Sequence, residues 1–305
     1  MLRQAENRVK IEGILNEIDL EVKALPKKDG TTTEGITGKI IVKENVVVNG
    51  KEVEYMTPVH LFAYKLTNAG KPNPAYESIL RVKNEFASVA ATGDENLADR
   101  VRITGANIRM NEYYSQDGRL VAFPRINASF INKIRKEECK PEATCSLEFV
   151  VAQKKEELDR NGEPTGRYMI NAILPQYGGA VDVIPLYAES DGVINAISQY
   201  WNEGDTVKAN CRLNFTTKVE TTYEDVDFGE PIERTRTTSV SDIIIIGGSQ
   251  TPVSEEFAFN NAEIQEALTQ RKARLEAMKD RSMSRVSQKS VPSANPSAGF
   301  ADLGF

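Results

Sequence analysis

The stretch "DRVRITGANIRMN" (Asp99–Asn111) alternates apolar and polar residues as a β-strand does, with Arg100, Arg102 and Arg109 among the polar positions and Gly105 near its middle. A second stretch, "DTVKANCRLNFTT" (Asp205–Thr217), repeats the same grammar behind the same opening aspartate. The two aspartates, at positions 99 and 205, stand about one small-domain length apart. One basic strand written twice at that spacing implies a duplicated module.

Working outward from the first stretch, "RVKIEGILNEI" (Arg8–Ile18), "GITGKIIVKENVVV" (Gly35–Val48) and "PVHLFAYKLT" (Pro58–Thr67) read as strands. A helix is predicted next. Asn73 is a suitable N-cap, Pro74 suits the first helical position, and Ile79, Val82, Phe86 and Val89 keep helical spacing. Then comes the quoted strand, joined through the hairpin signal "SQDG" to "RLVAFPRINASFINKI" (Arg119–Ile134).

The second copy has the same order. "TCSLEFVVAQKK" (Thr144–Lys155), "GRYMINAILPQ" (Gly166–Gln176) and "AVDVIPLYA" (Ala180–Ala188) are its first three strands. A helix capped by Ser190 carries Val193, Ile194, Ile197 and Trp201 and closes at Gly204. "DTVKANCRLNFTTKVE" and "RTRTTSVSDIIIIGG" complete it. Both quoted stretches are therefore fourth strands that follow a helix.

Three strands, a helix and two strands is the order of the OB-fold, a small Greek-key barrel. Gly105 suits a bend in such a barrel, where a β-branched residue would resist. The expected fold is mainly β: two tandem OB-fold-like five-stranded barrels, each with one helix between strands 3 and 4, followed by a C-terminal helix and a disordered tail. The competing reading is an unrelated β-sandwich or an elongated structural β-protein. The expected domains are 1–137, 138–253, an amphipathic helix over 254–285 and a tail over 286–305. Ser254, Glu255 and Glu256 open the helical stretch, and Ile264, Leu268, Leu275 and Met278 form its stripe, which Arg271 interrupts. From Ser282 the chain turns to Ser, Pro, Ala and Gly, a composition that buries no core.

The 305 residues are 40% hydrophobic and 27% charged, a soluble globular composition. There is no 18-residue apolar run, and the start "MLRQAENRVK" has no apolar core, so neither a membrane span nor a signal peptide is expected. Cys139, Cys145 and Cys211, without paired spacing, read as reduced, buried thiols of a cytoplasmic protein. The net charge of −6 is unevenly divided. Residues 1–137 hold 21 Lys/Arg against 18 Asp/Glu, whereas residues 138–253 hold 10 against 19. The two modules thus have different electrostatic roles.

Catalytic chemistry is hard to place. Any Ser-His-Asp or Cys-His device depends on His60, the single histidine, which sits inside an apolar strand and reads as a packed side chain. "GTTTEGIT" (Gly30–Thr37) has the glycines of a phosphate loop but Ile36 where the lysine belongs, and no GxGxxG opens a helix. The acidic run Glu220–Glu233 lacks the glycine geometry of a calcium loop. A non-catalytic protein without cofactor or metal is expected.

Single-stranded nucleic acid asks for a basic groove and aromatic rings on which bases stack. The first module offers Tyr55, Phe62, Tyr64, Tyr113 and Tyr114 with Arg102, Arg109, Arg119 and Arg125. Phe62 and Tyr64 share one face of their strand, which is either a binding face or core. The acidic second module adds Arg167, Lys208 and Arg212. Trp201 reads as core.

With these residues the chain resembles single-stranded DNA-binding proteins of replication, especially the larger phage-encoded kinds. The resemblance covers the layout of residues 1–253 and of the C-terminus. It implies single-stranded DNA as ligand, bound with little sequence specificity in replication or recombination. It also implies a flexible tail whose tip docks on replication or recombination proteins, and places the protein in the host cytoplasm if phage-encoded. Here the linker "SVPSANPSAGFADLGF" ends in Phe300, Leu303 and Phe305. The tip departs from the family's acidic pattern, since Asp302 is the only acid in the last twenty residues. The C-terminal helix offers a surface for oligomerisation. Two other classes fit the same strands: a virion or assembly β-protein, and an adaptor that holds a protein partner.

Overall fold

The computed structural model describes residues 2–27, 30–48, 50–115, 117–159, 161–224 and 232–289. In the first half, β1 (Asn7–Pro26), β2 (Thr32–Val48) and β3 (Lys51–Tyr64) are followed by α1 (Pro74–Glu85), a one-turn α2 (Val89–Thr92), β4 (Arg100–Tyr114), β5 (Leu120–Ala128) and the short β6 (Asn132–Ile134). The second half runs β7 (Glu142–Leu158), β8 (Pro164–Pro175), β9 (Val181–Ala188), α3 (Asp191–Tyr200), β10 (Thr206–Glu224) and β11 (Ile232–Gly248). The helix α4 (Asn261–Lys289) comes last. Among the described residues no helix is long and apolar enough to cross a membrane.

Each half closes on itself in the same way. β1–β2 and β2–β3 are antiparallel, β3 pairs in parallel with β5 (Val59 opposite Ile126), β5 pairs with β4, and β4 returns to β1. The second half repeats this circuit with β7, β8, β9, β11 and β10, including the parallel step of Tyr187 opposite Ile244. Closure in the order 1-2-3-5-4-1, with a helix between the third and fourth strands, makes both halves OB-type barrels. Inward residues of alternate parity, such as Val59, Leu61, Ile103, Ile108 and Ile126 in the first barrel, fill the core. Tyr76, Ile79 and Val82 of α1 bury their side chains in the same core.

The barrels are joined through their first strands. Residues Asn7–Glu12 of β1 pair antiparallel with Leu147–Glu142 of β7, while the same part of β1 also pairs with β4. Antiparallel pairing of equivalent strands relates the barrels by a local pseudo-twofold. The fourth-strand glycine has a defined task. Val9 faces Ala106 but Lys10 faces Thr104, so Gly105, with φ of 76°, is the extra residue of a bulge in β4.

Several boundaries differ from the sequence reading. The predicted first helix through Val89 stops at Glu85. Phe86 is extended, Ala87 N–H is taken by the Asp99 carboxylate at 2.9 Å, and Ser88 caps α2. The predicted fifth strand splits, its end becoming β6 on the edge of β4. Ser190 stands at the α3 N-cap position but makes no side-chain cap bond. The last helix starts at Asn261 and not at Ser254, because Asn260 Oδ1 accepts from Ala262 N at 2.8 Å and caps it there. It continues to Lys289, past the expected end at 285. Residues 290–305, with Phe300, Leu303 and Phe305, lie outside the described residues.

Candidate nucleic-acid interface

The first barrel's outer surface over β2, β3 and β5 is built by strand parity. Tyr55, Thr57, Val59, Leu61 and Ala63 of β3 point inward, whereas Pro58, His60, Phe62 and Tyr64 lie on the outer face. Tyr55 is thus core, at 4% exposure, and its predicted role in base stacking is corrected. Phe62 is 47% exposed and meets Tyr64 edge-on, with ring centroids 4.9 Å apart. The Tyr64 hydroxyl donates to Pro26 O at 2.8 Å, which fixes the second ring beside the β1–β2 hairpin. Two rings held at right angles on an open barrel face can take bases by stacking.

Next to the rings is a basic cluster. Lys39 on β2 faces His60 on β3 in register, and Arg125 stands on β5 next to the β3 edge. Among the described residues neither Lys39 nor Arg125 is ion-paired, although Asp19 is the register partner of Lys39 on β1. The Arg125 Nε is buried without a hydrogen-bond partner among the described residues, and burial lowers the guanidinium's pKa. His60 is pushed down to about 4, first by burial and then by the Arg125 and Lys39 charges. Burial is the larger cause, and the two cations add a positive potential at the imidazole. His60 and Arg125 of this group line a cleft of about 440 Å³, together with Met56, Pro58 and Phe123 of the first barrel. Phe215, Thr216, Val240 and Ser241 of the β10–β11 hairpin line its other side.

The remaining predicted residues of the first barrel are scattered. Tyr113 is exposed at the β4–β5 hairpin and meets Phe123 edge-on at 6.4 Å, with Tyr114 half-buried beside it. Arg119 sits at the hairpin end, salt-bridged to Asp117 at 3.1 Å. Arg102 and Arg109 do not join the face. Arg102 Nε donates to the buried Glu12 at 2.6 Å, and Arg109 Nε donates to Asp182 of the second barrel at 2.7 Å. Their guanidiniums are held by carboxylates within the fold, which corrects the expectation that they are open to phosphate.

The second barrel presents the equivalent face closed. "LFAY" (Leu61–Tyr64) corresponds to "LYAE" (Leu186–Glu189), so Tyr187 takes the place of Phe62 and Glu189 that of Tyr64. Arg167 lies over the Tyr187 ring at 4.2 Å, covering the platform. The same guanidinium is ion-paired with Asp242 at 2.9 Å, Glu157 at 3.3 Å and Glu189 at 3.9 Å, and Arg212 reaches Glu189 at 3.6 Å. Lys208 is exposed but pairs with Glu6 at 3.4 Å. Arg167 and Arg212 are thus spent on carboxylates, and the predicted set in this barrel forms no open basic face. Trp201 is core, edge-on to Phe149 at 5.8 Å with its indole N–H on Ser249 O.

Sequence reasoning missed Lys39, His60 and Phe123. His60 shares strand parity with Phe62 and Tyr64, so the alternation that placed the rings also places the histidine. The thiols carry no visible chemistry: Cys145 and Cys211 are buried opposite one another and Cys139 is half-buried.

The strand circuit defines an OB-fold protein, and the rings on its third strand distinguish one open from one closed barrel face. The model of the YorF family matches residues 5–281, and the chain belongs to that family. No curated protein sequence matches it. Among solved structures it is similar to the wild-type single-stranded DNA binding protein from Thermus aquaticus, at 10% identity and a TM-score of 0.48, covering 81% of this chain and 93% of that one. A deletion mutant of the same protein is similar at 10% identity and a TM-score of 0.49, covering 83% of this chain and 97% of that one.

Proposed function

We propose that the chain binds single-stranded DNA through the outer face of its first barrel, without catalysis and with little sequence specificity. Bases stack on Phe62 and Tyr64 while phosphates meet Lys39 and Arg125. The observation that carries this reading is the contrast between the faces. One has a free ring pair beside unpaired cations, and in the other a stacked arginine and three carboxylates occupy the corresponding place. The binding is assigned to replication or recombination, and the tail residues Phe300, Leu303 and Phe305 to docking of a protein from the same process. Both follow from the resemblance in chain layout.

Writing the second barrel's residue into the first tests the reading. Tyr64→Glu removes a ring and adds a charge that repels phosphate, so its oligo-dT affinity should fall by roughly tenfold or more. Unchanged affinity in a folded Tyr64→Glu protein would overturn the assignment to this face.

A further inference from the structure

The cleft between the barrels has features that neither barrel alone explains. Its cationic group, Arg125, belongs to the first barrel, beside His60, which stands two residues along β3 from Phe62. The opposite wall, Phe215, Thr216, Val240 and Ser241, comes from the hairpin of the second barrel, whose own face is closed. No carboxylate is among the described lining residues. Among the described residues the half-buried Arg125 has no ion-pair partner and its Nε no hydrogen-bond partner, so its charge stands uncompensated where the guanidinium lines the cleft. The volume of about 440 Å³ falls in the range of pockets that enclose a small ligand.

We propose that this cleft receives one unpaired nucleotide of the bound strand, its phosphate on Arg125 and its base against Met56, Pro58 and Phe123, and thereby selects single-stranded over duplex DNA. The inference rests on the first barrel being a single-strand binder. In a duplex the base is stacked and paired, and entering the cleft would require it to flip out at a cost in unstacking and unpairing. An unpaired strand lying on Phe62 has no such cost. The second barrel therefore contributes a wall to the site instead of a second platform, which gives an acidic module a place in binding an anion.

Two variants approach the cleft from opposite sides. Thr216→Trp fills it from the second barrel without touching the ring face, and Arg125→Gln removes the phosphate partner. Affinities for oligo-dT and a matched duplex are measured by anisotropy across a salt series, with thermal melts to verify folding. Thr216→Trp should weaken oligo-dT binding by about tenfold and leave duplex binding unchanged, so that the preference narrows. Arg125→Gln should lower the salt slope by about one. If Arg125→Gln fails to fold, the half-buried hairpin residue Thr216 still decides the matter. Two folded variants with the parent's preference and slope would overturn the proposal for the cleft alone, provided Tyr64→Glu still weakens binding. Failure of the parent chain to bind oligo-dT would overturn the function and the cleft together.

Discussion

Arg109 of the first barrel and Asp182 of the second are locked across the barrel interface. The Arg109 Nε donates to Asp182 Oδ2 at 2.7 Å, and the same oxygen accepts Met110 N–H at 3.2 Å. The Asp182 side chain is 1% exposed, so these donors take the place of the water it has lost. Arg271 and Arg274 of α4 add a second clamp on Glu112 of β4, and Arg3 holds the buried Glu148 at 2.7 Å. The arginine that seemed to interrupt the α4 stripe is the one that anchors it.

Arg109→Ala should therefore act on stability and leave DNA contact alone. It strands a buried carboxylate that retains only the Met110 amide, a loss of about 2–3 kcal/mol, at the lower end for a broken buried pair because Arg109 itself is partly exposed. Chemical denaturation should show this loss, and the salt slope of oligo-dT binding should equal the parent's. Parent-like stability with a reduced slope would put Arg109 on phosphate after all.

How far the sequence could be read depends on what strand parity carries. The duplication, the helix after the third strand and the Gly105 bend were legible, because each is local pattern or backbone conformation. Parity also separates Tyr55 from Phe62, and only its application beyond Pro58 was lacking, since β3 begins at Lys51. What was not legible is the partner of an outward arginine. Arg109 and Asp182 are 73 positions apart and meet only when two barrels dock, so no window along the chain shows that the charge is spent. The closed face of the second barrel was hidden for the same reason: Arg167 stacks on Tyr187 through tertiary packing alone.

His60 makes stability depend on acidity in a predictable direction. Its folded pKa is about 4 against an ordinary 6.5, held down by burial and by Arg125 and Lys39. Between those values the unfolded chain binds a proton that the folded chain refuses, so stability is lost as pH falls from about 6.5 towards 4. At a half-buried site the loss should be about 1–2 kcal/mol after solvent screening. Urea midpoints at pH 7 and pH 4.5 should fall further apart in the parent than in His60→Gln. Equal losses in both proteins would contradict the depressed value.

Glu44 has the opposite sign. It is fully buried on β2, Thr57 Oγ1 donates to one of its oxygens at 2.9 Å, and the other has no partner among the described residues. Burial raises its pKa well above the ordinary 4.5 despite the Thr57 bond. As pH rises past 4.5 the unfolded carboxyl releases its proton while the folded one keeps it, so this group costs stability from there up to its folded pKa. Glu44→Gln, which retains the shape and removes the titration, should raise the urea midpoint at pH 7, with the gain vanishing towards pH 4. A midpoint lowered equally at both pH values would mean the carboxylic acid's own hydrogen bonding matters more than its proton.

The central claim is that the open face of the first barrel holds single strands by stacking and phosphate contact. A salt titration of oligo-dT binding against a matched duplex, on the parent chain and on Phe62→Ala, tests it most directly. A clear preference for oligo-dT is expected, with log affinity falling linearly as log salt rises. Phe62→Ala should lose roughly tenfold or more at an unchanged slope, since a ring releases no counterions. Equal affinity for duplex and oligo-dT, or a folded Phe62→Ala protein that binds oligo-dT as the parent does, would contradict it.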